Sequence, residues 1–479
     1  MADTTETEEN VQLKLLINEE SNKVVFAEAG KDFVDILCSF LTLPLGTIAR
    51  LSQKDSNMGP VTVGCLNSLY QSVANLKEQC YWTDSIKELL LQPKNSSEDY
   101  CSSIKVNIDD TQPTNYFIRC LKSSNCKFNS SLYLDQHCKC GTGSAMRSVV
   151  LKHFREGFVN SDATFLITDD LIIMSNSLVY TSISLLKNSG IVTTSTKEMT
   201  LNVTKEKVLD LLKCALVSKS PLTDVFLRNK LSIERIWIFS CDTENNLDTN
   251  FQINVELVIR KSHGKILFAH GEQDFADLLL SFLAFPLGGV VRKLGGYSSI
   301  GSIDGLYKSI VEFDETKILL SKETKNRLVD PHLAHEYKSS KHILPINQSP
   351  AKFYCYYQGE SPRQSIFQHK YFISTEYRKD KGKYESMHLA KDNENAGSNE
   401  GYIKGPTTYL ATDELVIAPS SPISVLLLIQ RLQIPLEDLE KKVVNIGMKE
   451  CVRILKSALT STSALTNGLS HLLTEVKEE

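Results

Sequence analysis

The sequence predicts an α+β fold of two tandem homologous repeats, each with hairpins packed on buried helices. Three observations predict it. Residues 26–50 align without a gap on residues 268–292, and thirteen of the twenty-five positions are identical, where average composition gives roughly one or two matches by chance. In both copies a stretch that alternates apolar and polar precedes one that is apolar on nearly every face, the patterns of a strand and of a helix buried all round. With 479 residues, 42% of them hydrophobic and 23% charged, the chain can bury two cores.

In chain order, residues 11–17 and 23–28 alternate around a polar turn and read as a β-hairpin, which residues 253–260 and 265–270 repeat with Gly264 in the turn. The all-round apolar helices follow at 32–43 and 274–285. Each is expected to stop at a Pro-Leu-Gly, Pro44 to Gly46 and Pro286 to Gly288, where proline lacks a donor and glycine permits a cap. Shorter amphipathic helices are predicted at 65–76 and 302–311. Residues 164–174 and 408–418 read as pairs of short strands around Thr168-Asp169-Asp170 and Thr412-Asp413-Glu414. Residues 212–223 and 455–466 share Leu-Lys-x-Ala-Leu followed by Ser-x-Ser-x-Leu-Thr and close each copy with two helices, broken at Pro221 in the first. These elements divide the chain into an acidic tail at 1–10, a first repeat at 11–229 with a Cys-rich middle, a linker at 230–250, a second, degenerate repeat at 251–472 and a tail at 473–479. A polar stretch near 359–405 is expected to be a mobile loop.

Composition narrows the function classes. A net charge of -4 is spread too thinly for a general polyanion binder, so nucleic acid is not an expected partner and a protein is. The chain has no run of eighteen apolar residues and no basic, apolar leader at its start, which points to a cytoplasmic or nuclear protein with no membrane contact. Of twelve cysteines, ten precede Asn250. Reduced thiols are the expectation, with cysteine chemistry confined to the first copy.

The hairpin ending at Lys23 to Asp35, then Leu43-Pro44-Leu45-Gly46, Thr168-Asp169-Asp170-Leu171 and the run from Leu216 to Leu227, resemble the plant family catalogued as domain of unknown function 674. The resemblance covers almost the whole chain. It implies a plant protein with tandem copies and no established activity, so no catalytic residues follow from it.

Read directly, the residues offer one candidate metal site. Cys120, Cys126, Cys138 and Cys140, with Gly141 after the last, supply four thiolates such as a structural zinc takes in a tetrahedron; one residue rather than the usual two separates the final pair, and His137 is an alternative ligand. Lys122 and Lys127 would help stabilise the thiolates. Asp32 and Asp35, mirrored by Asp274 and Asp277, are three apart and could do acid-base work, but their place at a helix start predicts capping. Asp169-Asp170 and Asp413-Glu414 fit turn residues. His332, His335 and His342 lack supporting ligands, and the glycines from Gly295 to Gly301 lack the lysine of a phosphate loop. No nucleophile-elbow or zincin pattern occurs. The expected function is therefore that of a non-enzymatic protein-interaction or scaffold protein; the alternative is an enzyme with a small-molecule pocket between the two repeats.

Overall fold

The structure is a computed structural model. It describes residues 11–118, 131–133, 147–154, 156–160, 163–175, 195–231, 252–337, 344, 346, 352–358, 370–378, 383–389, 401–405 and 407–474. The α+β class holds, and the hairpins pack on buried helices.

Two antiparallel sheets have the same strand order. In the first half, β1 (Val11–Asn18) and β2 (Lys23–Ala29) form the predicted hairpin; with β6 (Phe165–Thr168), β7 (Ile173–Ser175) and β8 (Thr196–Val203) they give the order β7-β6-β2-β1-β8. In the second half, β9 (Ile253–Arg260), β10 (Lys265–Gly271), β14 (Tyr409–Thr412), β15 (Ile417–Pro419) and β16 (Leu439–Ile446) give β15-β14-β10-β9-β16. The alternation that predicts the first strand is realised in its burial, with Val11, Leu13, Leu15 and Ile17 facing the core.

The segments that differ most between the halves build a third body together. Strands β3 (Tyr116–Ile118), β4 (Ser131–Tyr133) and β5 (Arg147–Leu151) from the first half join β11 (Phe353–Gln358), β12 (Lys370–Ser374) and β13 (Lys383–Leu389) from the second in a closed barrel. Its two seams between halves are parallel, β12 to β5 and β13 to β4. Tyr116, Ile118, Val149, Phe353, Cys355, Ile373 and Met387 fill the interior. Within the stretch near 359–405 expected to be a mobile loop, the described residues include two of these barrel strands, Lys370–Ser374 and Lys383–Leu389. The few apolar residues there, insufficient for a core of their own, complete one begun by the first half.

The helices explain why α1 (Lys31–Thr42) is apolar on every side. Its own sheet lies on one face, and α6 (Leu287–Lys293), α7 (Ile303–Glu312) and α8 (Lys322–Val329) of the second half lie on the other. The halves exchange helices reciprocally. Helix α3 (Leu66–Asn75) of the first half packs on β15 and on α5 (Gln273–Ser281), while α7 packs on β7 and α1. Ser72 accepts a hydrogen bond from the Ile417 amide at 3.0 Å, and Ser309 accepts one from Ile173 at 2.9 Å.

The two Pro-Leu-Gly motifs meet where the halves join. Pro44 and Pro286 form an antiparallel bridge, in which Leu45 N donates to Phe285 O and Leu287 N to Leu43 O, both at 2.9 Å. Here the capping expectation is corrected. Each proline is the N-cap of the following helix, α2 (Leu45–Ser52) or α6, and each glycine lies inside that helix. Glycine is required by close approach instead: a Cβ on Gly288 would stand 2.2 Å from Leu328 O, and one on Gly46 3.1 Å from Leu283 O.

Candidate functional site

The carboxylates at matching positions of the two halves are the first place to look for chemistry. Neither Asp35 nor Asp277 caps its own helix, whose N-caps Gly30 and Glu272 make no side-chain capping bond. Each instead receives the backbone of a distant segment, while its second oxygen takes the side chain of the first helical residue, Lys31 or Gln273. Asp35 Oδ1 accepts from the amides of Phe158 (2.7 Å) and Val159 (3.0 Å). Asp277 Oδ1 accepts from Tyr402 (2.8 Å) and Ile403 (3.1 Å). Gly157 and Gly401 pass so close to the carboxylates that a Cβ would overlap an Oδ2 atom in each case.

The received segments bind the other half in turn. Val159 bridges to Leu319 and Ile403 to Tyr81, just beyond the exchanged helices α7 and α3. Asp35 and Asp277 therefore act as receptors for the chain that clasps each exchanged helix. Asp32, by contrast, sits in the first helical turn and pairs with Lys105 at 2.5 Å, in keeping with the helix dipole.

Burial raises both carboxyl pKa values, that of Asp35 to about 6 and that of Asp277 to about 7. The difference has a cause in the sequence. Lys31 pairs with Asp35, whereas the matching position holds Gln273, whose Nε2 donates to Asp277 Oδ2 at 3.3 Å. The folded pKa values lie above the ordinary 3.8, so folding favours the protonated forms. Their contribution to stability is fully present below pH ~3.8 and is lost as pH rises through ~6 for Asp35 and ~7 for Asp277. Asp314 and Asp438, held near 2 by hydrogen bonds, titrate below that window. Melting temperature is thus expected to fall from about pH 5 to about pH 8, and a flat or rising profile in scanning calorimetry would overturn this account.

A second pair of carboxylates makes matching networks. Asp169 accepts from the Thr223 amide (2.8 Å) and hydroxyl (2.6 Å), and Thr223 Oγ1 accepts from Val24 N (2.8 Å). Asp413 does the same with Thr466 (2.8 and 3.0 Å), whose Oγ1 accepts from Ile266 N (3.0 Å). These turns carry left-handed Leu171 and Leu415, at φ 63° and 59°, both fully buried. The aspartates are turn residues, as expected, and in addition tie the turn to the closing helices.

Among the described residues, polar groups of both halves also converge by the mouth of the barrel. Lys94, Glu98 and Thr114 of the first half face Arg327, His332, Glu336 and Thr375 of the second. Arg327 is 3% exposed, with Nε on Glu323 at 3.2 Å and an Nη on Ser96 O at 2.8 Å. Glu98 accepts from Thr114 N at 3.1 Å, and burial, aided by the charge of Glu336, lifts its pKa to about 7. The enclosed space is about 30 Å³. That is room for a water or two, far below the few hundred Å³ of a small-molecule site.

The zinc candidates Cys120, Cys126, Cys138 and Cys140, and His137 beside them, lie outside the described residues, as does His342. Among the described residues no group of three or more His, Cys, Asp and Glu could hold a metal ion. Seven free cysteines are described, six of them buried. Burial pushes the thiols of Cys38, Cys65, Cys101, Cys214 and Cys451 up, that of Cys65 to about 12, so these are packing residues rather than nucleophiles. Gly301 abuts the Ala215 carbonyl, and its own carbonyl accepts from Lys219 Nζ, so the loop is occupied by structural contacts with the first half. Among the described residues no helix is long and apolar enough to cross a membrane.

Sequence reasoning missed one surface. Helix α9 (Pro422–Leu432) starts at Ser421, whose side chain and that of Ser424 cap one another's backbone amides, with Pro422 at the first helical position. That Ser-Pro-x-Ser signal, Ser421 to Ser424, is legible in the sequence. Val425, Leu428 and Ile429 pack against Leu267, Phe268 and Leu410 on the outer face of the second sheet. Ile423, Leu426 and Leu427 are 70%, 56% and 59% exposed.

The model of the family described as "Protein of unknown function (DUF674)" matches residues 7–449. The chain belongs to this family. The DUF674 match spans both sheets, the barrel strands and the start of the last helices. No curated protein and no solved structure matches the chain.

Proposed function

We propose that this DUF674 protein is a non-enzymatic protein-interaction or scaffold protein, and that α9 is its docking face. One observation carries the reading. Ile423, Leu426 and Leu427 stand at i, i+3 and i+4 on a capped helix and are more than half exposed, with Leu436 beyond the helix 67% exposed. Leaving a leucine in water forgoes roughly 2 kcal/mol of burial. A contiguous apolar stripe of this kind is the anchor pattern by which a helix docks on a partner.

Incorporating a photo-crosslinking amino acid in place of Leu427 is expected to give a discrete adduct with a protein in cells, while the same residue at Tyr297, 74% exposed in the loop after α6, gives none. Absence of an adduct at Leu427 would remove the reading. The rival reading, an enzyme with a pocket between the halves, draws support from the convergence of Glu98, Arg327, His332 and Glu336. Against it stands the volume, which admits water and little else.

A further inference from the structure

We propose that the outer edge of β16, together with the exposed face of α9, joins two copies of this chain across a two-fold axis centred on Val443. The inference rests on α9 being a docking face and names its partner. Strand β16 ends its sheet: it pairs with β9 along all eight residues, and among the described residues no strand pairs with its other edge. A long edge with free amides and carbonyls is a template for another strand.

Charged side chains ordinarily blunt such an edge. Here the two lysines are drawn off. Lys441 pairs with Glu256 at 2.7 Å, and Lys442 Nζ donates to Leu472 O. Val443 is 65% exposed and lies opposite Glu256. It stands on the outer face of the sheet, the face that α9 covers through Val258 and Leu439. Leu439 and Val443 of β16 thus front the same side as α9, while Val444 and Ile446 face the core.

Charge and overlap select the register, since a centre on Val444 would pair only residues 442–446 where one on Val443 pairs 440–446. A two-fold that continues both faces of the sheet must place one residue opposite itself. Centred on Lys441 or Lys442, it sets lysine against lysine, which is destabilising. Centred on Val443, it sets Val443 on Val443, Lys441 on Asn445 and Lys442 on Val444 of the second copy. A second copy is the occupant because a two-fold contact needs only one self-complementary surface, and the apolar centre with uncharged partners for both lysines is self-complementary. The edge of the other sheet lacks this anchor. Thr200 of β8 lies opposite Lys14 where Val443 lies opposite Glu256.

Sedimentation velocity of the full chain is the test. The wild type is expected to be a dimer at about 50 µM, with Val443→Lys weakening association by at least about tenfold, roughly 1.4 kcal/mol, and Thr200→Lys leaving it unchanged. A monomeric wild type, or a dimer indifferent to Val443→Lys, overturns the inference. If the pure protein is monomeric while the Leu427 crosslinker captures another protein in cells, the docking reading survives and the second copy falls. If neither associates, both fall.

Discussion

Asp277→Ala is expected to lower the stability of the chain by about 2–4 kcal/mol at neutral pH. The substitution removes the acceptor of two amides, those of Tyr402 and Ile403, in residues 1% and 0% exposed. A buried donor left without a partner costs roughly 1–3 kcal/mol. An opposing effect is relief of a carboxylate that burial disfavours, as its pKa of about 7 records. Two orphaned donors outweigh one half-ionised acid, so the net effect is loss. Asp277→Asn keeps a carbonyl acceptor and discards the charge, and is expected to stay within about 1 kcal/mol of wild type. Urea unfolding of the two variants separates the roles: equal losses would mean that the charge, not the acceptor, is what the clasp needs. The same Asn substitution should also flatten part of the pH dependence between about pH 5 and about pH 8.

Much of the fold is legible in the residues, because the signals for hairpins and buried helices are local. Alternation in 11–17 and the all-round apolar pattern of 32–43 are properties of the segment itself. The exchange of α3 and α7 leaves no such trace. The two halves match in sequence around these helices, so an apolar face that suits one sheet suits the other. Asp35 and Asp277 were misread for a related reason. Their position near a helix start has an ordinary local meaning, capping, while the amides they receive lie 123 and 125 residues downstream. Strands β8 and β16 interrupt their apolar alternation with Lys197 and Glu198 and with Glu440, Lys441 and Lys442, and edge strands alternate weakly. The four cysteines at 120–140 stand out in sequence yet lie outside the described residues, whereas Arg327 and Glu98, unremarkable in sequence, meet at the mouth of a barrel that neither half builds alone.

Gly301→Ala carries the largest expected effect, because two penalties act at one atom. Gly301 has φ +42°, and its Cβ would lie 2.2 Å from Ala215 O and 2.6 Å from Leu216 C, both backbone atoms. The left-handed conformation alone costs an alanine roughly 1–2 kcal/mol. The overlap cannot be relieved by a rotamer change, since the obstacle is the end of α4 (Lys205–Val217), so the exchanged segment must lift off. Lifting it breaks the bond from Ser302 N to Ala215 O and that from Ser302 Oγ to Ser218 O, both 2.8 Å, and exposes the apolar face of α7. A total above about 4 kcal/mol follows. Gly264, at φ +59° with nothing within 4 Å of a Cβ, isolates the backbone term, so Gly264→Ala should cost only about 1–2 kcal/mol. Gly64, whose Cβ would meet Ala458 O at 2.4 Å, should behave like Gly301. In hydrogen exchange, Gly301→Ala is expected to deprotect the amides of α7 ahead of those of β9 and β10, because the exchanged helix is held to its host sheet from outside its own half. Uniform deprotection of the whole second half would show instead that the helix and its own sheet unfold as one unit, and that the reciprocal exchange does not divide the chain energetically.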